Sequence, residues 1–208
     1  MNQVLTKRGG DTREKLLEVA EQAVLEKGFA ATSIDELISA VGITKSGFFY
    51  HFSDKSELAK ALLQRYIDGE ETLLDDLFRR AYELNDDPLH GFLVGLKMFA
   101  EMMADLPEGH PGCLIAAYCY QENLFNQDVR DLNQTAMLEW RRRFRKQFDL
   151  IAERYPPKID VDFDALADMI SALVDGGIIV SKATRDKNVL LQQVMLYRDF
   201  VRAIFLGA

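Results

Sequence analysis

Apolar side chains recur at intervals of three and four residues along nearly the whole chain, the period of helices that bury one face. Leu16, Leu17, Ala20, Ala23 and Val24 fit one face of a helix over about residues 12–27, which Gly28 closes. Ile34, Leu37, Ile38 and Val41 share a face of a second, opened by a capping box of Ser33 with Glu36. Gly42 then supplies a positive-φ turn that a side chain would resist, with Ile43 as the apolar plug beneath it. Thr44 can cap a third, short helix through His51, with aromatics inward and small polar groups outward.

The pattern continues beyond this cluster. Asp54 and Glu57 form a second capping box for a helix to about residue 82. Asn85-Asp86-Asp87-Pro88 is a break, with Asp87 as cap and Pro88 at the first helical position. Phe92, Leu96, Phe99 and Met103 form the stripe of the helix that follows. The segment LPEGHPG, residues 106–112, is a second break. An apolar helix over 113–124 comes next, then a long amphipathic one over about 128–154, stopped by Pro156-Pro157. Asp162 or Asp164 opens a helix to about residue 184, and 187–205 form the last. Strand signals longer than a few residues, internal repeats and low-complexity tracts are missing from the pattern, which predicts an all-α fold.

Two helices joined by a glycine turn, over 33–51, are the geometry that places one helix in the DNA major groove. Charge alone would not have suggested this. The net charge is −8, and residues 1–55 hold seven basic against eight acidic groups. The motif must carry the expectation, with Lys7, Arg8, Lys45 and Lys55 as local phosphate contacts.

The segment SIDELISAVGITKSGFFYHFSDKSEL, residues 33–58, resembles the DNA-binding region of TetR-family transcriptional regulators. In that family the recognition helix ends in an aromatic-Tyr-His-Phe run followed by a Lys at the start of the next helix. Here the run is Phe49-Tyr50-His51-Phe52, followed by Asp54-Lys55, and the upstream helix, Gly28-Phe29 and Thr32-Ser33 match as well. The motif covers about the first quarter of the chain; the remainder resembles the family in length and helical pattern. Ile38 stands where such turns usually carry a small residue, which predicts a slightly opened helix crossing.

The resemblance implies an N-terminal three-helix DNA-binding domain with a helix-turn-helix, residues 1–55. A larger helical domain for effector binding and dimerisation follows, residues 56–208. Thr32, Ser33, Thr44, Lys45, Ser46, Gly47, Phe49, Tyr50, His51 and Lys55 are the candidate DNA-binding residues. Among Phe48, Phe49 and Phe52, at least two should be core. Ser33, Thr32 and Thr44 are placed either to bind phosphate or only to cap.

In the family the body encloses a small-molecule site. Phe99, Met103, Cys113, Ala117, Tyr120 and Phe144 are its candidate lining here, and their sparse polarity suits an apolar or amphipathic effector. Leu173, Gly176, Gly177, Val180, Tyr197 and Val201, on the last two helices, are candidate homodimer contacts; burial within one chain is the alternative.

The remaining chemistry is thin. His51, His90 and His110 lack metal-ligand spacing. The run Asp160 to Asp164 begins like a calcium loop but fails at Ala165 and Ser171, so these acids read as helix-start charges. Phosphate-cradling glycine loops and nucleophile elbows are missing, so neither an enzyme nor a cofactor is expected. Arg141, Arg142, Arg143, Arg145 and Lys146 suit a solvated helix face with Trp140, Phe144 and Phe148 inward, or a second nucleic-acid patch. On one helix Cys113 and Cys119 would lie about 240° apart and could not pair, which leaves structural thiols or a redox sensor.

Apolar runs stay short of a membrane span and the N-terminus lacks a signal-peptide core, so the expected location is cytoplasmic. The function expected is a dimeric regulator, most often a repressor, on a palindromic double-stranded operator and released by a small-molecule effector. The alternative is a helical ligand carrier or interaction module without DNA binding.

Overall fold

The computed structural model describes residues 2–207, with side chains from Gly10 onward. Among these residues the fold is all-α. Its helices are α1 (Asn2–Lys27), α2 (Ile34–Val41), α3 (Lys45–His51), α4 (Lys55–Leu84), α5 (Pro88–Ala104), α6 (Leu114–Tyr120), α7 (Gln127–Arg154), α8 (Phe163–Thr184) and α9 (Asn188–Leu206), with a 3-10 turn at Glu122–Leu124. The first helix thus begins well before residue 12. The side chains of Lys7 and Arg8, expected to meet phosphate, lie outside the described residues.

Contacts divide the chain into two compact units, Met1–Asp68 with Cys113–Ala136, and Gly69–Gly112 with Met137–Ala208. The division falls inside α4 and α7 rather than at residue 55. The reason is visible in the first unit: the start of α4 supplies Leu58, Ala59, Leu62 and Leu63 to the same core as Leu16, Leu17, Leu37 and Phe48.

In that unit α6 completes the core with Leu114, Ile115 and Tyr118. Tyr118 is buried, and its hydroxyl donates to the Ala59 carbonyl at 3.0 Å, which satisfies a group that would be costly to leave unpaired. The helix expected over 113–124 stops at Tyr120 and tightens into the 3-10 turn. The bend lets Phe125 stack on Tyr118, ring centroids 4.2 Å apart, and meet Phe29 at 4.8 Å. Cys113 caps α6, its Sγ accepting from the Ala116 N–H at 3.5 Å, and the exposed Cys119 accepts from Asn133 Nδ2 at 3.2 Å; neither sulfur is in a disulfide.

In the second unit α9 packs on α5 and α8. An aromatic series fills it: Phe78 stacks on Phe92 at 5.6 Å, Phe92 meets Phe148 at 5.5 Å, and Phe148 and Phe205 flank Phe163. Asp87 caps α5 as the sequence predicts, accepting from the Leu89 and His90 N–H groups at 3.1 and 2.9 Å. Its second oxygen accepts from the Tyr155 hydroxyl at 2.7 Å and pairs with Arg154 at 3.0 Å. The basic run on α7 is occupied by acids: Arg141 grips Asp168 with two nitrogens, Arg143 pairs with Asp75, and Arg145 spans Asp149 and Asp164. This is the solvated, ion-paired face.

Candidate nucleic-acid interface

Local bonds build the α2–α3 turn. Ser33 Oγ accepts from the Glu36 N–H at 3.2 Å, while the Glu36 carboxylate turns away to pair with Lys27. That hydrogen bond to Lys27 holds Glu36 below the usual carboxylate range. Gly42 sits at φ 74°, ψ 36°, and the N–H groups of Gly42 and Ile43 both donate to Ile38 O, at 2.9 and 3.1 Å. Ile38 itself is accommodated in the core. Thr44 Oγ1 accepts from the Gly47 N–H at 3.2 Å and shares a 2.9 Å hydrogen bond with the Ser46 hydroxyl.

Phe48 and Phe52 are buried, 5.7 Å apart, and fix the rotation of α3. Removing either ring would cost about 3–5 kcal/mol by the usual core penalty. Their burial turns Lys45, Ser46, Phe49 and Tyr50 outward; Phe49 is 46% exposed and Tyr50 81%. Gly47 is half-buried. Lys45 reaches Asp35 only at 3.8 Å and stays largely solvated. Burial and the nearby Arg13 guanidinium hold the half-buried His51 imidazole below the ordinary histidine range, so at neutral pH it offers hydrogen bonds rather than charge.

Two expected contacts have structural duties. Thr32 is 1% exposed, and its hydroxyl donates to Gly28 O at 3.0 Å. This is a correction: a side chain buried and bonded inside the α1–α2 turn is not presented to a phosphate. Lys55 donates to Phe29 O at 2.7 Å, and burial pulls its ammonium below the usual lysine range; its other N–H bonds are left for a phosphate.

Arg13, which no motif singled out, lies with its Cζ 5.1 Å from the Phe52 ring centroid and adds a cation beside His51. Gln121 was likewise missed as a support for this region: its Oε1 accepts from the Ala30 N–H at 3.1 Å across 91 residues of sequence. Only the pairing of α6 with the α1–α2 turn reveals it.

The expected effector residues divide between the two compact units. Cys113, Ala117 and Tyr120 belong to the first unit, and Tyr120 is 79% exposed. Phe99, Met103 and Phe144 belong to the second, where Phe99 and Phe144 are packed solid; Phe144 meets Phe78, Phe92 and Trp140. Met103 alone of the six borders the cleft described below.

The expected dimer contacts differ in burial within the chain. Tyr197 and Val201 are buried within their own chain, and the Tyr197 hydroxyl donates to Leu166 O at 2.8 Å. Gly177 is buried too; a Cβ there would lie 2.9 Å from Leu190 Cδ1, so its small size serves the α8–α9 approach. Leu173 and Gly176 are half-buried and Val180 is exposed. Exposed with Val180 are Met169 and Ile179 on α8, and Leu196 and Phe200 on α9. Met169 and Val180 are eleven residues apart and Leu196 and Phe200 four, spacings that keep each pair on one helix side, a readable signal beside the stronger buried stripe.

Residues 16–62 match the family model for bacterial regulatory proteins of the tetR family. This N-terminal segment is thus of the tetR family. Its relatives by sequence include the uncharacterized HTH-type transcriptional regulator YxaF of Bacillus subtilis, 23% identical over 88% of this chain and 91% of that protein. The HTH-type transcriptional regulator TtgR of Pseudomonas putida is 25% identical over 80% of this chain and 78% of that protein. A TetR-family transcriptional regulator from Agrobacterium tumefaciens shares the fold with a TM-score of 0.77 at 19% identity, covering 95% of this chain and 99% of that one. Over most of its length the chain is thus similar to helix-turn-helix transcriptional regulators.

Proposed function

We propose that this regulator is a cytoplasmic repressor that binds a palindromic operator as a homodimer and is released by a small-molecule effector. The observation that carries the DNA-binding part is the split of α3, with Phe48 and Phe52 locked in the core and Lys45, Ser46 and Tyr50 exposed on the outer side. In this reading Lys45, Ser46 and Gly47 approach base edges, while Tyr50, His51, Lys55, Ser33 and Thr44 hold phosphates. By role, residues 1–55 bind DNA and 56–208 receive the effector and the second subunit.

The exposed apolar residues of α8 and α9 support the dimer. A four-helix contact about a two-fold axis would bury them and set two recognition helices about 34–36 Å apart, or a multiple of that spacing. No described helix is long and apolar enough to cross a membrane. A Saccharomonospora viridis protein of the same fold (TM-score 0.68) was solved in complex with choline, which supports a small-molecule site in such a body. Full reversal of occupancy from 1:99 to 99:1 would need about 5.5 kcal/mol of differential effector affinity.

The test is selection of the purified protein against a random duplex pool at two salt concentrations. Recovery of a palindrome whose affinity falls steeply with salt is the expected result. A pool no different from input at low salt, with protein shown to be free of co-purified ligand, would overturn the proposal.

A further inference from the structure

The second unit holds a cleft of about 360 Å³ bordered by the segment after α5, the end of α8 and the start of α9. Its apolar wall is Met103, Ile178 and Leu190, all buried. Its opposite character comes from Lys182, Arg185 and Lys187, all exposed, against Glu108 as the one acid of the lining. Such a concentration of positive charge is notable in a chain of net charge −8.

Three details make this more than a set of solvated helix-end cations. Lys182 donates to the Pro111 carbonyl, which ties its ammonium over the cleft and leaves two N–H bonds free. Among the described residues neither Arg185 nor Lys187 is taken by an ion pair. His110 is part-buried in the lining, and its Nδ1 accepts from the Gly112 N–H at 3.2 Å. That bond places the imidazole proton on Nε2, and burial together with Lys182 keeps the ring below its ordinary range, hence neutral. The cleft therefore combines three cations, one neutral N–H donor and an apolar wall.

We propose that this cleft binds a small organic anion, a carboxylate carried on an apolar body. The carboxylate would lie among Lys182, Arg185, Lys187 and His110, with the hydrocarbon against Met103, Ile178 and Leu190. The volume is at the small end of ligand sites, which suits one ring or a short chain. This deepens the effector reading above and rests on it for its regulatory meaning.

Isothermal titration calorimetry of the full chain would use octanoate and benzoate, with octan-1-ol and benzyl alcohol as uncharged controls. The variants are Arg185→Gln with Lys187→Gln, on exposed positions, and Ile178→Phe to fill the cleft. Binding of at least one acid, at least tenfold tighter than its alcohol and weakened at least tenfold in the double variant and in Ile178→Phe, is expected. Equal binding by the double variant, tighter binding of the alcohols, or no binding of either acid would overturn the site. Release of the selected duplex is scored in parallel. An acid that binds with the expected charge dependence yet leaves the duplex bound would support the site and count against this acid as the effector. Release of the duplex by a cationic or neutral amphiphile alone would preserve the effector reading and overturn the anion site.

Discussion

Lys55 donates to the Phe29 carbonyl at 2.7 Å while its ammonium lies 4.3 Å from the centroid of the Phe29 ring. One side chain at the start of α4 thus closes the α1–α2 turn through both the backbone and the aromatic face of the same residue. The same Phe29 packs against Tyr118 and Phe125. Lys55→Ala is expected to lower unfolding free energy by about 1 kcal/mol, the scale of one hydrogen bond plus a partly exposed cation–π contact. It should also weaken duplex binding and flatten its salt dependence. Denaturant titration and binding at several salt concentrations measure both; an unchanged salt slope would remove Lys55 from the phosphate contacts.

Gly28 adopts φ 85°, and a Cβ there would lie 2.4 Å from Gln121 Nε2. Gly28→Ala is expected to cost about 1–2 kcal/mol, from left-handed strain plus displacement of Gln121. In the double variant Gly28→Ala with Gln121→Ala the backbone strain and the lost bond to Ala30 persist but the clash is gone, so the pair should be less destabilised than the sum of the singles. Additive thermal shifts would show that Gln121 does not hold this turn.

Tyr50 is so exposed that Tyr50→Ala should leave stability within about 0.5 kcal/mol of wild type. Its loss should be read in DNA affinity alone, as at least a fivefold weakening on the selected duplex. Wild-type affinity would show that this outward ring does not meet the duplex.

Leu196, 64% exposed, and Phe200 lie one helical turn apart on the open side of α9. Leu196→Glu with Phe200→Glu should convert the proposed dimer to monomer in sedimentation analysis. Tyr197→Phe, which removes the buried bond to Leu166 O, should cost about 1 kcal/mol and leave the association state unchanged. A monomerising Tyr197→Phe beside an associating double variant would reverse this assignment of faces.

Asp87 supplies an acid-sensitive stabilising contact. Burial acts to raise its pKa, but the His90 N–H, the Tyr155 hydroxyl, the His90 ring and Arg154 together outweigh it, holding the carboxyl well below the usual range. A depressed folded-state value means the contribution is present above the unfolded value of about 3.9 and is lost as pH falls further. Urea midpoints should drop below about pH 4. Asp87→Asn should be less stable at pH 7 and show a shallower acid decline; parallel pH curves would assign the acid sensitivity elsewhere.

The residues that build the α2–α3 turn were legible in the sequence because each bond is local. Ser33 to Glu36, Gly42 to Ile38 and Thr44 to Gly47 span three or four residues, and their side-chain chemistry suffices to start and stop a helix. The same holds for Asp54, which accepts from the Glu57 N–H at 2.8 Å, and for Asp87 before Pro88. The TetR-like recognition helix and the all-α class were determined at this level.

What the sequence alone left open is which side of each apolar surface finds a partner. Phe48 and Phe49 are adjacent aromatics, yet only Phe48 points at Leu16, Leu37 and Leu58 in the core. Tyr197 and Leu196 both continue an apolar stripe on α9, but α8 covers the first and leaves the second bare. Thr32 reads as an exposed hydroxyl until the turn closes over it, and Gln121 gains its role from Ala30, 91 residues away. Periodicity specifies that a helix has an apolar face; the direction of that face, and the cleft beside His110 and Lys182, depend on the crossing of helices remote in sequence.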